Sequence, residues 1–142
     1  MSQQNILYKQ LITALHDAID ASKKIPGTNN RDLNRLKTYI ETMDMLPAKI
    51  YDRTLHWLAP FGPRIMKEEK SLFTDEDVHK NQFLHELGID HMAAASHEQK
   101  HNILCKLKKI CEILCVIWKN RKPESASDAT MNFMRFAEAS IM

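Results

Sequence analysis

The chain of 142 residues is 44% hydrophobic and 27% charged, with only 3 glycines and 5 prolines, the composition of a single soluble globular domain over 1–142. A compact fold of this length withdraws roughly 68% of the unfolded surface from water, so no disulfide or metal is needed to complete a core. A net charge of +2 does not by itself select a polyanionic partner.

Apolar positions Ile6, Leu7, Leu11, Leu15, Ala18 and Ile19 recur in steps of three and four and predict an amphipathic helix over about residues 3–24, ended by Pro26-Gly27. Thr28, Asn29 or Asn30 can cap a second helix whose apolar face is Leu33, Leu36, Tyr39, Ile40 and Met43, running to about Met45. Pro47 suits a first helical position and predicts a break followed by a third helix over Ala48 to Leu58. Ala59-Pro60-Phe61-Gly62-Pro63 reads as a loop. Thr74-Asp75-Glu76-Asp77 then opens a helix that stops at Gly88. Asp90 or Ser96 caps the next, and Ser96 with Gln99 has capping-box spacing. From Ile103 to Trp118 a long stripe becomes apolar nearly all round after Ile110, which predicts the central core helix. Lys119 to Arg121 and Pro123 suit its end, and Ser127 caps a last helix over Asp128 to Ile141. With no sustained alternating period, the predicted class is an all-α bundle of five to seven helices.

The longest apolar run, Ile113 to Trp118, falls far short of the ~20 residues that span a bilayer. The opening Met1-Ser2-Gln3-Gln4 lacks the charged-then-apolar pattern of an export signal. The three cysteines, Cys105, Cys111 and Cys115, are an odd number on one helical stretch and read as reduced thiols. No membrane association and a cytoplasmic location are expected.

Charge is distributed unevenly. Lys100, Lys106, Lys108, Lys109, Lys119, Arg121 and Lys122 share their segment with a single acid, Glu112. A basic strip of this kind can grip phosphates by counterion release, or can be the solvated face of a buried helix. Acids Glu68, Glu69, Asp75, Glu76 and Asp77 are the counterweight, and whether they fold against the strip decides its continuity. A second cluster, Arg31, Arg35, Lys37, Lys49 and Arg53, could form a companion surface, with Tyr39, Tyr51, Trp57 and Phe61 either in the core or stacked on bases.

His97-Glu98-Gln99-Lys100-His101 matches H-E-x-x-H, whose helical spacing aims two imidazoles at one zinc. Read as a polar helix start, it carries no chemistry. His85, His91, His97 and His101 with Glu86 and Glu98 fall in one segment, and their six-residue steps would not share a helix face. No metal site, catalytic residue or cofactor is assigned. Cys105, beside Lys106 and Lys109, would have a lowered pKa if it faced water. Met131 and Met134 are the candidate contact residues of the last helix.

Two stretches carry a family likeness over about a third of the chain. Leu36-Lys37-Thr38-Tyr39, Leu46-Pro47-Ala48-Lys49-Ile50 and Leu55 to Phe61 resemble the small α-helical subunits of multisubunit CRISPR effector complexes, especially the RNA-targeting kind. Phe133-Met134-Arg135-Phe136-Ala137-Glu138-Ala139 is similar to the carboxyl-terminal helix of those subunits. Asp52-Arg53 stand where that family usually has asparagine-glycine, and residues 62–122 match none of its motifs. The resemblance implies a non-catalytic subunit stacked head to tail along a guide and target duplex, and it transfers nucleic-acid contacts to Lys37, Lys49 and Arg135. Asn29-Asn30-Arg31-Asp32-Leu33, with the helix before it, resembles helical viral silencing suppressors that bind double-stranded RNA.

The expected function is a non-enzymatic RNA-binding or ribonucleoprotein-assembly subunit that grips the backbone through basic helix faces, with self-association. The alternatives are a protein-protein interaction module with an apolar Met and Trp groove, such as a viral or phage structural or host-directed protein, and third a zinc peptidase at His97, Glu98 and His101.

Overall fold

The computed structural model describes residues 3–43, 46–120 and 127–141. Among them every regular element is helical. The α-helices are α1 (Gln3–Lys23), α2 (Asn30–Thr42), α3 (Pro47–Leu58), α4 (Gly62–Met66), α5 (Glu76–His79), α6 (Gln82–Leu87), α7 (His97–Asn120) and α8 (Asp128–Ile141), with 3-10 turns at Ala59–Phe61, Lys70–Phe73 and Ile89–His91. Five long helices thus form an all-α bundle with short segments between α3 and α7. No helix of the described residues is long and apolar enough to cross a membrane.

The pairing of α1 with α7 is the most extensive among the described residues. Leu11, Leu15 and Ile19 of α1 and Leu107, Ile110 and Leu114 of α7 are fully buried, each contributing about 1.5–3 kcal/mol of transfer free energy. The first stripe is narrower than predicted, because Ile6 falls outside it and is 46% exposed. Thr28 does not cap α2. Its hydroxyl donates to the carbonyls of Ser22 and Ile25, both at 2.9 Å, at the end of α1, while the Asn29 side chain accepts from the amides of Arg31 and Asp32.

Two segments depart from the expected outline. Residues 59–63 form a 3-10 turn running into α4 rather than a loop, because Pro60 and Pro63 both fall in first turns, where no amide is required. The expected helix from Thr74 to Gly88 is two helices. Asp75, not Thr74, caps α5, and the Asn81 carboxamide oxygen accepts from the Leu84 amide at 3.1 Å, starting α6 afresh. Gly88 then ends α6 in the left-handed region at φ 91°, where a Cβ would also stand 2.9 Å from Thr28 Cγ2. The Ser96–Gln99 capping box forms in both directions, at 3.1 and 3.2 Å. Ser127 accepts from the Thr130 amide and caps α8.

Candidate functional site

The lysines of α7 do not form one continuous strip. Successive residues advance about 100° around a helix, so Lys106 and Lys109, three apart, share one face of α7 while Lys108 lies on another. Lys108 Nζ lies 3.5 Å from Glu68 Oε2, and Lys100 Nζ sits 5.8 Å from the centre of the Phe73 ring. An acid of the segment between α4 and α5 has therefore folded against the basic stretch. Lys109 and Lys119 are exposed, Lys106 is half-buried, and Arg121 and Lys122 lie outside the described residues.

The second basic cluster is brought together in part. Arg35, Leu36 and Tyr39 of α2, Arg53 and Trp57 of α3, and Gln82 and Glu86 of α6 line one cavity of about 260 Å³. The spacings Arg35/Tyr39, Arg53/Trp57 and Gln82/Glu86 each put two residues on one helix face. The Tyr39 and Trp57 rings are 5.9 Å apart, and Trp57 stacks on Phe83 at 5.1 Å and 19°; Trp57, Phe83 and Tyr51 are buried in the core, and Tyr39 packs against it half-buried. The Asn81 side-chain amide donates to the Trp57 carbonyl at 2.7 Å and ties α6 to α3. Arg31 and Lys49, one turn before Arg35 and Arg53, are exposed on the same helix faces. Lys37, roughly 200° around α2 from Arg35, does not line the cavity, nor does the exposed Arg135 of α8. Neither Gln82 nor Glu86 is among the residues that the sequence suggests for nucleic-acid contact, Glu86 standing there only beside the histidines. Their signal, the Asn81 cap that sets the register of α6, is hidden when residues 74–88 are read as one helix.

The histidines are regrouped by the turns. His101 Nδ1 lies 3.7 Å from Glu68 Oε1, and His101 Nε2 lies 3.4 Å from Cys105 Sγ, which is itself 3.6 Å from Glu68 Oε1. His97 is not part of this group. His85 and His91 flank the Asp90 carboxylate at 3.4 and 3.7 Å, because the chain reverses at Gly88 instead of continuing as helix. Cys105 does not face water freely, and its pKa is raised: burial and a hydrogen bond to the Glu68 carboxylate outweigh the opposing charges of Lys108 and Lys106. Burial also pushes the Cys115 thiol up to about 11 and the fully buried Cys111 thiol upward. None of the three is poised as a nucleophile.

An apolar groove of about 110 Å³ runs between α7 and α8, lined by Cys115, Val116, Trp118, Met134 and Ala137, with Glu112, Lys119 and Glu138 at its edges. Val116 and Met131 are large apolar side chains left exposed on these two helices, and Met134 is buried.

No family model, curated protein or solved structure was found to match the chain.

Proposed function

We propose that this protein is a non-enzymatic RNA-binding subunit, and that the cavity between α2, α3 and α6 is where it takes a nucleotide of a single strand. The observation that carries this reading is the approach of Arg35 and Arg53, from two different helices, to one cavity with Tyr39 and Trp57 in its wall. Guanidiniums suit phosphate oxygens bidentately. The half-buried Tyr39 ring, backed by the buried Trp57, can accept any base, and a polar rim satisfies its edge. Gln82 offers both a donor and acceptors, and Glu86 accepts from an exocyclic amine. The Glu86 charge disfavours a crowd of phosphates, so one base with its adjoining phosphate is a better fit than a bare anion. Arg31 and Lys49 extend the same faces for neighbouring phosphates.

Fluorescence anisotropy of labelled single-stranded and double-stranded RNA at low and moderate salt tests this. The reading expects binding to the single strand, weakened by salt with a logarithmic slope of about −0.7 per phosphate contact, and lost in Arg35→Ala and Arg53→Ala. No binding at low salt overturns it.

The groove between α7 and α8 favours a second reading, a protein-protein interaction module. Exposed Val116 beside a Trp118 and Met134 lining is the composition of a helix-accepting groove. A Val116→Glu variant that loses self-association in sedimentation, while RNA binding is absent in both proteins, would support it.

A further inference from the structure

We propose that Glu68, His101 and Cys105 form a binding site for a single borderline-soft divalent transition metal ion, of which zinc is the type. This site is separate from the cavity of Arg35 and Arg53, and the inference does not rest on the RNA-binding reading.

The donors come from two places 33 residues or more apart in the chain. His101 and Cys105, four apart on α7, share a helix face. Glu68 follows α4 and is brought to that face by the packing of α4 on α7. One ligand atom from each residue falls within 4.8 Å of the others, and the closest approaches are 3.4, 3.6 and 3.7 Å. Zinc bonds of about 2.3 Å to sulfur and about 2.0–2.1 Å to nitrogen or oxygen give tetrahedral edges of roughly 3.3–3.6 Å. The two imidazole approaches use different nitrogens, Nε2 toward Cys105 and Nδ1 toward Glu68, so the exposed ring reorients on binding to give one of them to the ion. A sulfur, nitrogen and oxygen set of this kind suits zinc or cobalt rather than magnesium or calcium.

Two further features point the same way. Glu68 has φ +54° and is the one non-glycine residue with positive φ among those described. Its amide donates to the Ile65 carbonyl at 2.9 Å and the next amide to Arg64 at 3.1 Å, which makes it the left-handed residue closing α4, a position ordinarily filled by glycine. A glutamate held there against its backbone preference places its carboxylate on His101 and Cys105. Lys108 Nζ, in turn, holds the other carboxylate oxygen at 3.5 Å, as an outer-shell partner that orients a ligand. The carboxylate touches the thiol as well as the imidazole, so the three groups form a triangle instead of a thiol–imidazole–carboxylate row. His101 is largely exposed, which leaves the fourth position open to water. Binding transfers the thiol proton to solvent and leaves a metal thiolate.

Titration of the purified full chain with Co²⁺ tests the site. The expected result is one equivalent bound, with visible bands of tetrahedral cobalt and a thiolate-to-cobalt charge-transfer band that Zn²⁺ abolishes. Cys105→Ser should remove the charge-transfer band. His101→Ala and Glu68→Gln should weaken Co²⁺ binding by about 100-fold or more, beyond a typical outer-shell effect, and His97→Ala should leave it unchanged. Glu68→Gly should raise the thermal midpoint of the metal-free protein while losing the metal. No cobalt spectrum, a spectrum unaltered by Cys105→Ser, or one lost in His97→Ala would each overturn the proposal.

Discussion

The Asn81 carboxamide makes two bonds: its amide donates to the carbonyl of Trp57, 24 residues earlier, at 2.7 Å, and its oxygen accepts from the amide of Leu84 at 3.1 Å. One side chain starts α6 and fastens it to the end of α3, so it sets the wall that carries Gln82 and Glu86. Replacing Asn81 by Ala removes a cap and the bond to the Trp57 carbonyl, an expected loss of about 1–3 kcal/mol in chemical denaturation. Asn81→Asp keeps the cap acceptor but sets a carboxylate against the Trp57 carbonyl, and it should be no more stable than the alanine variant. Wild-type stability in Asn81→Asp would contradict a role for the bond to Trp57.

Gly62 is required for close approach rather than for conformation. Its φ of −52° is helical, but a Cβ there would stand 2.4–2.6 Å from three atoms of the fully buried Phe133 ring. Gly62→Ala should therefore destabilise the fold by about 1–3 kcal/mol through overpacking, despite the better helix propensity of alanine. Adding Phe133→Leu should recover part of that loss. Two losses that simply add would show that Gly62 and Phe133 do not meet.

The Asp75 carboxylate sets a pH dependence. Arg64 donates to Asp75 Oδ2 at 2.7 Å and the Asp77 amide donates to Oδ1 at 2.8 Å. These two bonds, the first the larger, hold its pKa below the ordinary 3.8. A carboxyl whose pKa is lower folded than unfolded stabilises the protein above its unfolded value and loses that contribution as pH falls through the folded one. Asp75→Asn keeps the cap but not the ion pair. Its urea midpoint should lie below that of the wild type at neutral pH, with the gap closing below about pH 3.8. A gap constant down to the acid end would contradict this assignment.

Much of the fold is legible in the sequence because its signals are local. The stripes of Leu11, Leu15 and Ile19 and of Leu107, Ile110 and Leu114, the Ser96–Gln99 box and the Ser127 cap each act within a turn or two, and α8 forms over the expected residues. The departures arise where a distant partner decides. Asn81 splits a helix by bonding Trp57, and Gly62 admits Phe133 from the far end of the chain. The candidate sites divide in the same way. Arg31 with Arg35 is visible as helical spacing, but the cavity depends on α2, α3 and α6 meeting. Lys100, Lys106, Lys108, Lys109 and Lys119 look like part of one strip in sequence, yet Glu68 folds against Lys108, which lies on a different face of α7 from Lys106 and Lys109. The H-E-x-x-H string draws attention to His97, whereas the fold turns His101 toward a glutamate 33 residues earlier.

The most direct measurement of the central proposal compares two charge-reversed proteins, Arg35→Glu/Arg53→Glu and Lys106→Glu/Lys109→Glu, with the wild type in binding single-stranded RNA at low salt. Each changes the net charge equally, and circular dichroism checks that each folds. The account predicts that the arginine pair abolishes binding while the lysine pair weakens it modestly through the long-range field. Binding lost with the lysine pair and kept with the arginine pair would contradict it.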